Sequence, residues 1–243
     1  METIHIPTDQ AARIIDDMMQ KIMMKSFEPG AKLPSENALA EEYRVPRATV
    51  RNALTKLEER GYIYSKQGKG RYLKEESIQI ELHLTGKISF TDKMKRLGYD
   101  LKTRNIYCEK ISYDAKIYQL LQVKQGEDVY KIGRMRYIQN EPIALHNSFV
   151  STARFPMVAE DGPHITSMFS YYRQHGYKEF DSHKTLLSTT FPTLYEQELL
   201  SCNSMVPLII VESDCIDLNS KKVLEHTKIL YRSDRFKYDI TSV

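Results

Sequence analysis

Arg134 and Arg136 stand two residues apart in VYKIGRMRYI, a run whose alternation marks a strand, so both guanidinium groups leave one face. Side by side they repel unless an anion lies between them, and a phosphate or phosphonate suits their forked donors. Taken alone, the spacing favours a plainer alternative, ion pairs with acidic side chains on a sheet surface. Arg47 and Arg51, four apart in PRATVRNALTKL, are suited to bidentate contact with guanine in a major groove or to clamping a phosphate. Thr49 between them has the size to touch a phosphate or a thymine methyl group. Ser167, and Ser89 with Thr91, each open a helical run and would offer a hydroxyl and free backbone N–H groups to an anion. Glu225 and Tyr231 would recognise neutral or cationic groups at the far end of such a ligand.

Those side chains need elements to hold them. Val50, Ala53, Leu54 and Leu57 recur at helical spacing, leaving Arg47, Thr49, Arg51 and Asn52 on the remaining surface. Pro46 suits a first helical turn and Gly61 a helix end. Tyr62-Ile63-Tyr64 and Arg71-Tyr72-Leu73 then read as strands around a tight turn, Gln67-Gly68-Lys69-Gly70. The glycines would let this tip approach a minor groove, with Lys69 supplying charge. Between Arg44 and Lys74 nine basic residues face two acidic ones, a net +7, whereas the whole chain carries only +3. A solvated helix is the usual meaning of a charge run, but glycine tip, arginine spacing and charge segregation together favour a duplex whose phosphates release counterions. Lys56 and Arg60, late on the helix, are expected to face water.

A chain of 243 residues with 41% apolar content holds one large domain or two ordinary ones. METIHIPTDQ lacks the pattern of a secretion signal, and no window nears the roughly 20 apolar residues of a membrane span. Cys108, Cys202 and Cys215 form no CxxC pair, so reduced thiols in a cytoplasmic protein are expected. The seven histidines show no metal spacing, and no cofactor or metal site is expected.

In chain order, a helix from Thr8 to about Lys25 carries the stripe Ala11, Ile14, Ile15, Met18, Ile22 and Met23, read as core rather than as a methionine-rich groove. Ser35 caps a helix over 36–43. Helix, helix, helix and hairpin make a winged helix-turn-helix over 1–74, and 75–83 reads as a semi-rigid linker with some strand tendency. Over 84–243 hairpins alternate with helices: helices at 92–97, 114–121, 166–175 and 194–200, and strands at 103–112, 129–138, 143–151, 184–190, 208–216 and 223–232. A turn at Asn140-Glu141-Pro142 joins the second and third strands. The fold class is α+β on an antiparallel sheet.

Leu33-Pro34-Ser35-Glu36, Leu39-Ala40, the run from Val45 to Leu57, Gly61 and Gly68-Lys69-Gly70 together resemble the DNA-binding domain of the GntR family of bacterial transcription regulators. The resemblance spans 8–73. It implies that Asn37, Arg47, Ala48, Thr49, Arg51, Gln67 and Gly68 approach the operator, and Ser35, Lys69 and Gly70 complete the expected DNA-binding set. Pro46 stands where the family has a capping Ser or Thr, which leaves one helix-end donor for another partner. The second part resembles the UTRA effector domain of the HutC subfamily, whose fold is similar to chorismate lyase. Its marks are Ser89-Phe90-Thr91, Arg134-x-Arg136, Glu141-Pro142, Ser167-Met168-Phe169, Glu225 and Tyr231-Arg232-x-Asp234-Arg235-Phe236. The implied effector-binding residues are Ser89, Phe90, Thr91, Arg134, Arg136, His146, Ser167, Met168, Phe169, Glu225 and Tyr231. His146 is a departure, for the subfamily commonly has glutamate there to read sugar hydroxyls. Its place is open either to an alkylphosphonate or other phosphorylated metabolite, or to a histidine satisfied within the sheet.

The leading expectation is a homodimeric, effector-controlled repressor that binds double-stranded DNA at a pseudo-palindromic operator, with no membrane association. An enzyme using the second domain is the rival, but no nucleophile–base pair or metal set can be assembled from the sequence. A ligand-independent DNA-binding protein is the third reading.

Overall fold

The computed structural model describes residues 9–74, 80–83 and 88–239. It divides into two compact units, Met1–Ile78 with Cys202–Val206, and Gln79–Ser201 with Pro207–Val243.

The first unit packs α1 (Gln10–Met23), α2 (Glu36–Tyr43) and α3 (Arg47–Glu59) against a hairpin of β1 (Ile63–Lys66) and β2 (Gly70–Leu73). Its core joins Ile14, Ile15 and Met18 of α1 to Leu39, Val50, Leu54 and Leu57, with Ile63 and Leu73 closing from the hairpin. Asp9 caps α1, and the expected opener Thr8 lies outside the described residues. Met23, expected in the apolar stripe, is 68% exposed, because α1 outruns the core at its last turn. Ser35 accepts from the Ala38 N–H at 3.1 Å, whereas α3 begins at Pro46 with no side-chain cap. Arg60 is exposed as expected, but Lys56 is half-buried. Gly68 and Gly70 take φ of 70° and 109°, which a side chain would strain, so the tight tip depends on them.

The second unit is built on a six-stranded antiparallel sheet. Its strands are β4 (Leu101–Lys110), β5 (Val129–Ile138), β6 (Glu141–Ser151), β7 (Phe180–Thr190), β8 (Leu208–Asp217) and β9 (Val223–Arg232). Their spatial order is β4-β5-β6-β9-β8-β7. The β5–β6 turn is Gln139-Asn140, both at positive φ, and Glu141-Pro142 already belong to β6. The expected turn was one residue late, because a hairpin turn of this type needs two left-handed residues and proline cannot supply one. The last four residues of the expected linker are a strand, β3 (Ile80–His83), paired in parallel with β10 (Phe236–Asp239). The rest of that linker, 75–79, lies outside the described residues.

Helices cover both faces. One carries α4 (Phe90–Arg96), the short α6 (Val158–Asp161) with a 3-10 turn at Gly162–His164, and α7 (Met168–Gln174). The other carries α5 (Ala115–Leu121), whose Tyr118 and Leu121 pack on Val129 and Val223. A last helix, α8 (Leu194–Leu200), begins with a capping box between Thr193 and Glu196. On the first face two apolar clusters flank a gap. One holds Ile132, Val150, Phe155, Met168 and Tyr172; the other holds Ile80, Met94, Ala144, Tyr231 and Phe236.

Candidate functional site

The first unit presents a basic face organised by two acids, Glu36 and Glu58. Glu36, at the start of α2, accepts from Arg47 Nε at 2.8 Å, Arg51 Nη2 at 3.2 Å and Arg71 Nη1 at 2.9 Å. Partial burial alone would raise its carboxyl, but hydrogen bonds from Arg51 and Arg47 outweigh that and draw it down to about 2. Glu58 does the same for the hairpin: its two oxygens accept from the Ser65 N–H and Oγ, each at 2.8 Å, with Arg71 Nε at 3.5 Å. The Arg47 and Arg51 side chains remain 57% and 58% exposed, so their outer N–H groups face water while their inner ones are held. Ser35, Asn37, Arg47, Arg51, Gly68, Lys69 and Gly70 line one hollow between α2, α3 and the hairpin. Ala48 and Gln67 are exposed and Thr49 half-buried, outside that lining. Glu36, Glu58 and Arg71 were not anticipated as organisers. Their pairing depends on how α2, α3 and the hairpin meet, which residue spacing does not encode.

In the second unit the gap between the two apolar clusters is a cavity of about 150 Å³, and all eleven residues expected around an effector line it. Strand pleating explains the gathering. Arg134 lies opposite His146, and His146 opposite Ile229; one step along, Arg136 lies opposite Ala144 and Ala144 opposite Tyr231. Side chains two apart on each strand therefore share the cavity face. The N-terminal ends of α4 and α7 bring Ser89-Phe90-Thr91 and Ser167-Met168-Phe169 against it.

Its polar groups are buried and incompletely paired. Arg134, Arg136, His146 and Glu225 are each 2–3% exposed. Arg134 Nη2 donates to Ser148, and Arg136 Nη1 to Thr103 and, at 2.9 Å, to the Thr166 carbonyl. Both Nε atoms, His146 Nε2 and Glu225 Oε1 have no hydrogen-bond partner. Each such group costs about 1–3 kcal/mol while it stays unmet. Burial lowers both guanidinium pKa values; the Glu225 charge partly offsets this at Arg134, whereas the Arg134 charge adds to it at Arg136. Burial, with the charges of Arg136 and Arg134, holds His146 neutral, well below the usual imidazole range.

Three expectations change. Glu225 is not at the far end from the arginines: its Oε1 lies 3.8 Å from Arg134 Nη2, because the Arg134 side chain reaches across β6 towards β9, and its Oε2 accepts from Tyr172. Tyr231 stands beside Arg136 instead, two register steps away. The Ser89 and Ser167 hydroxyls are engaged at their helix starts, with Asp92 and with the Ser170 N–H. His146 is not satisfied within the sheet, since Nε2 is unpaired. The sequence reading also missed Ser182, Thr185, Ser213 and Thr227 on the cavity wall. For Thr227 the signal was present, two residues from Glu225 on the same strand face.

Residues 10–73 match the bacterial regulatory proteins of the gntR family, and residues 96–237 match the UTRA domain. The chain is similar to the mannosyl-D-glycerate transport/metabolism system repressor MngR of Escherichia coli (strain K12). They are 28% identical over 233 residues, covering 94% of this chain and 93% of that protein. It is also similar to the HTH-type transcriptional repressor NagR of Bacillus subtilis (strain 168), 25% identical, covering 93% and 91%. Among solved structures, PhnF from Mycobacterium smegmatis superposes with a TM-score of 0.62 at 22% identity, covering 95% of this chain and 99% of that one, a likeness of fold. With a winged helix-turn-helix and an antiparallel-sheet UTRA domain each in place, the chain belongs to the UTRA-bearing branch of the gntR family and is a DNA-binding transcription regulator.

Proposed function

We propose that this regulator is a cytoplasmic homodimeric repressor whose grip on a pseudo-palindromic operator is released by a small anionic effector, a phosphorylated sugar or a phosphonate. One observation carries the effector reading: two arginines buried in a single cavity keep unpaired Nε groups, with one carboxylate at ion-pair distance from Arg134. A dianion seated between them would relieve their repulsion and satisfy both donors. The repressor reading draws support from MngR and NagR, both named as repressors. DNA contact falls to Ser35, Asn37, Arg47, Ala48, Thr49, Arg51 and the tip Gln67-Gly68-Lys69-Gly70. Two-fold symmetry in the operator calls for two copies of the head, which pairing of the 84–243 part would supply.

We read the cavity as a binding site without turnover. Burial and the nearby Glu225 keep the Cys215 thiol protonated, and Tyr172 occupies one oxygen of Glu225. The test is a thermal-shift screen of phosphorylated sugars and phosphonates, followed by an assay for consumption of each hit. Stabilisation without consumption is expected; turnover of a hit would favour the enzyme reading. Failure of every anion to bind, with operator binding intact, would favour a ligand-independent DNA-binding protein.

A further inference from the structure

The imidazole of His146 sits on the cavity wall between aromatic rings, 4.7 Å from Phe90 and 5.6 Å from Tyr231, both edge-on. The ring is therefore clamped. It is 3% exposed, stands opposite Arg134 in the β5–β6 ladder, and its Nε2 has no partner in the protein. A buried, oriented and unpaired ring nitrogen in a cavity is a group held for a ligand. Resting on the anion-cavity reading above, we propose that His146 is the specificity-determining residue of the site, a third anion ligand that takes up one solvent proton as a tetrahedral dianion seats against Arg134 and Arg136.

The chemistry follows from the groups that face it. Around the cavity β5 supplies Arg134 and Arg136, α4 supplies Lys93, β9 supplies Glu225 and Tyr231, and β8 supplies Cys215. Burial first, and with it the charges of Arg136 and Arg134, keeps the imidazole neutral, with one ring nitrogen protonated and the other carrying a lone pair. A dianion cancels the guanidinium field and gives the buried ring an anionic partner that favours its charged form. The lone pair then binds a proton from water, both ring nitrogens become donors, and one N–H bonds to an anion oxygen. Because the bound state holds a proton that the free state lacks, affinity rises as pH falls, by up to about tenfold per pH unit. A carboxylate, with one charge and two oxygens, cannot serve three cationic donors as a phosphoryl-type group does.

Sulfate is the probe, since it stays dianionic from about pH 5.5 to about pH 8, the range in which a histidine titrates. Titrate it into the full chain and into His146→Gln across that range, and record the histidine ring nitrogens by NMR at saturation. The wild type is expected to bind more tightly as pH falls, with its His146 resonances moving to imidazolium, while His146→Gln binds with a flat profile. A flat wild-type profile, an equal slope in the variant, or a ring that stays neutral in the complex would overturn the proposal and leave the anion cavity standing. If neither sulfate nor inorganic phosphate binds at all, the cavity reading itself fails. Should the variant not fold, the wild-type NMR titration decides alone.

Discussion

Glu36 shows how a single carboxylate can set the geometry of a recognition surface. It reaches three arginines on two elements, so the side chains proposed to contact DNA are held before DNA arrives. With its pKa drawn from an ordinary 4.5 to about 2, its contribution to stability is complete above 4.5 and is lost as pH falls towards 2. Thermal melts of Glu36→Gln should accordingly show a flatter acid limb than the wild type. Identical limbs would show that the pairing adds nothing. At Arg51, removal of the side chain to alanine should weaken operator binding by about 1–3 kcal/mol, roughly 5- to 150-fold, with effector affinity unchanged. Fluorescence anisotropy and calorimetry measure the two halves of that statement, and unchanged DNA affinity would count against the α3 face. Much of the cavity was legible at this scale, since Arg134-x-Arg136 needs only period-two reasoning to share a face. The shift of Glu225 towards Arg134 was not, because it depends on strand order, and β9 follows β6 in space with six elements between them in the chain.

Local pattern and structure agree closely where an element packs by its own periodicity. β5, β9 and α8 keep the bounds that spacing suggests, Val129–Ile138, Val223–Arg232 and Leu194–Leu200. The pattern fails where a partner is distant. β10 has four residues and pairs in parallel with β3, more than 150 positions earlier, and nothing in Phe236–Asp239 announces that. The short α6 and its 3-10 turn escape for the same reason, being too short to show a repeat. Yet β3 and β10 brace one wall of the cavity. Ile80 and Phe236 are buried beside Tyr231, whose ring lies 4.7 Å from Phe236 and 5.8 Å from Phe90. Phe236→Ala should cost about 3–5 kcal/mol in denaturant unfolding of the effector unit, the range for a fully buried phenylalanine. A loss below about 1 kcal/mol would contradict that bracing role.

For the whole molecule, the account is a division of labour between a basic head and an anion-sensing body. Neither the net charge nor the mild basicity of the chain reveals it; only the concentration of +7 within 44–74 does. Regulation requires the effector to favour one arrangement of the heads over another, because a ligand bound equally in both shifts nothing. Sedimentation of the full chain should give a dimer without DNA, and a monomer at operator-binding concentrations would remove the basis for two-fold recognition. Anisotropy of labelled operator DNA during titration with the phosphorylated sugars and phosphonates, with wild type and Arg134→Gln in parallel, decides whether the anion cavity controls release. The account predicts that at least one compound releases the wild type, while Arg134→Gln binds the operator equally well and stays bound. Equal release of both proteins by the same compound would contradict it.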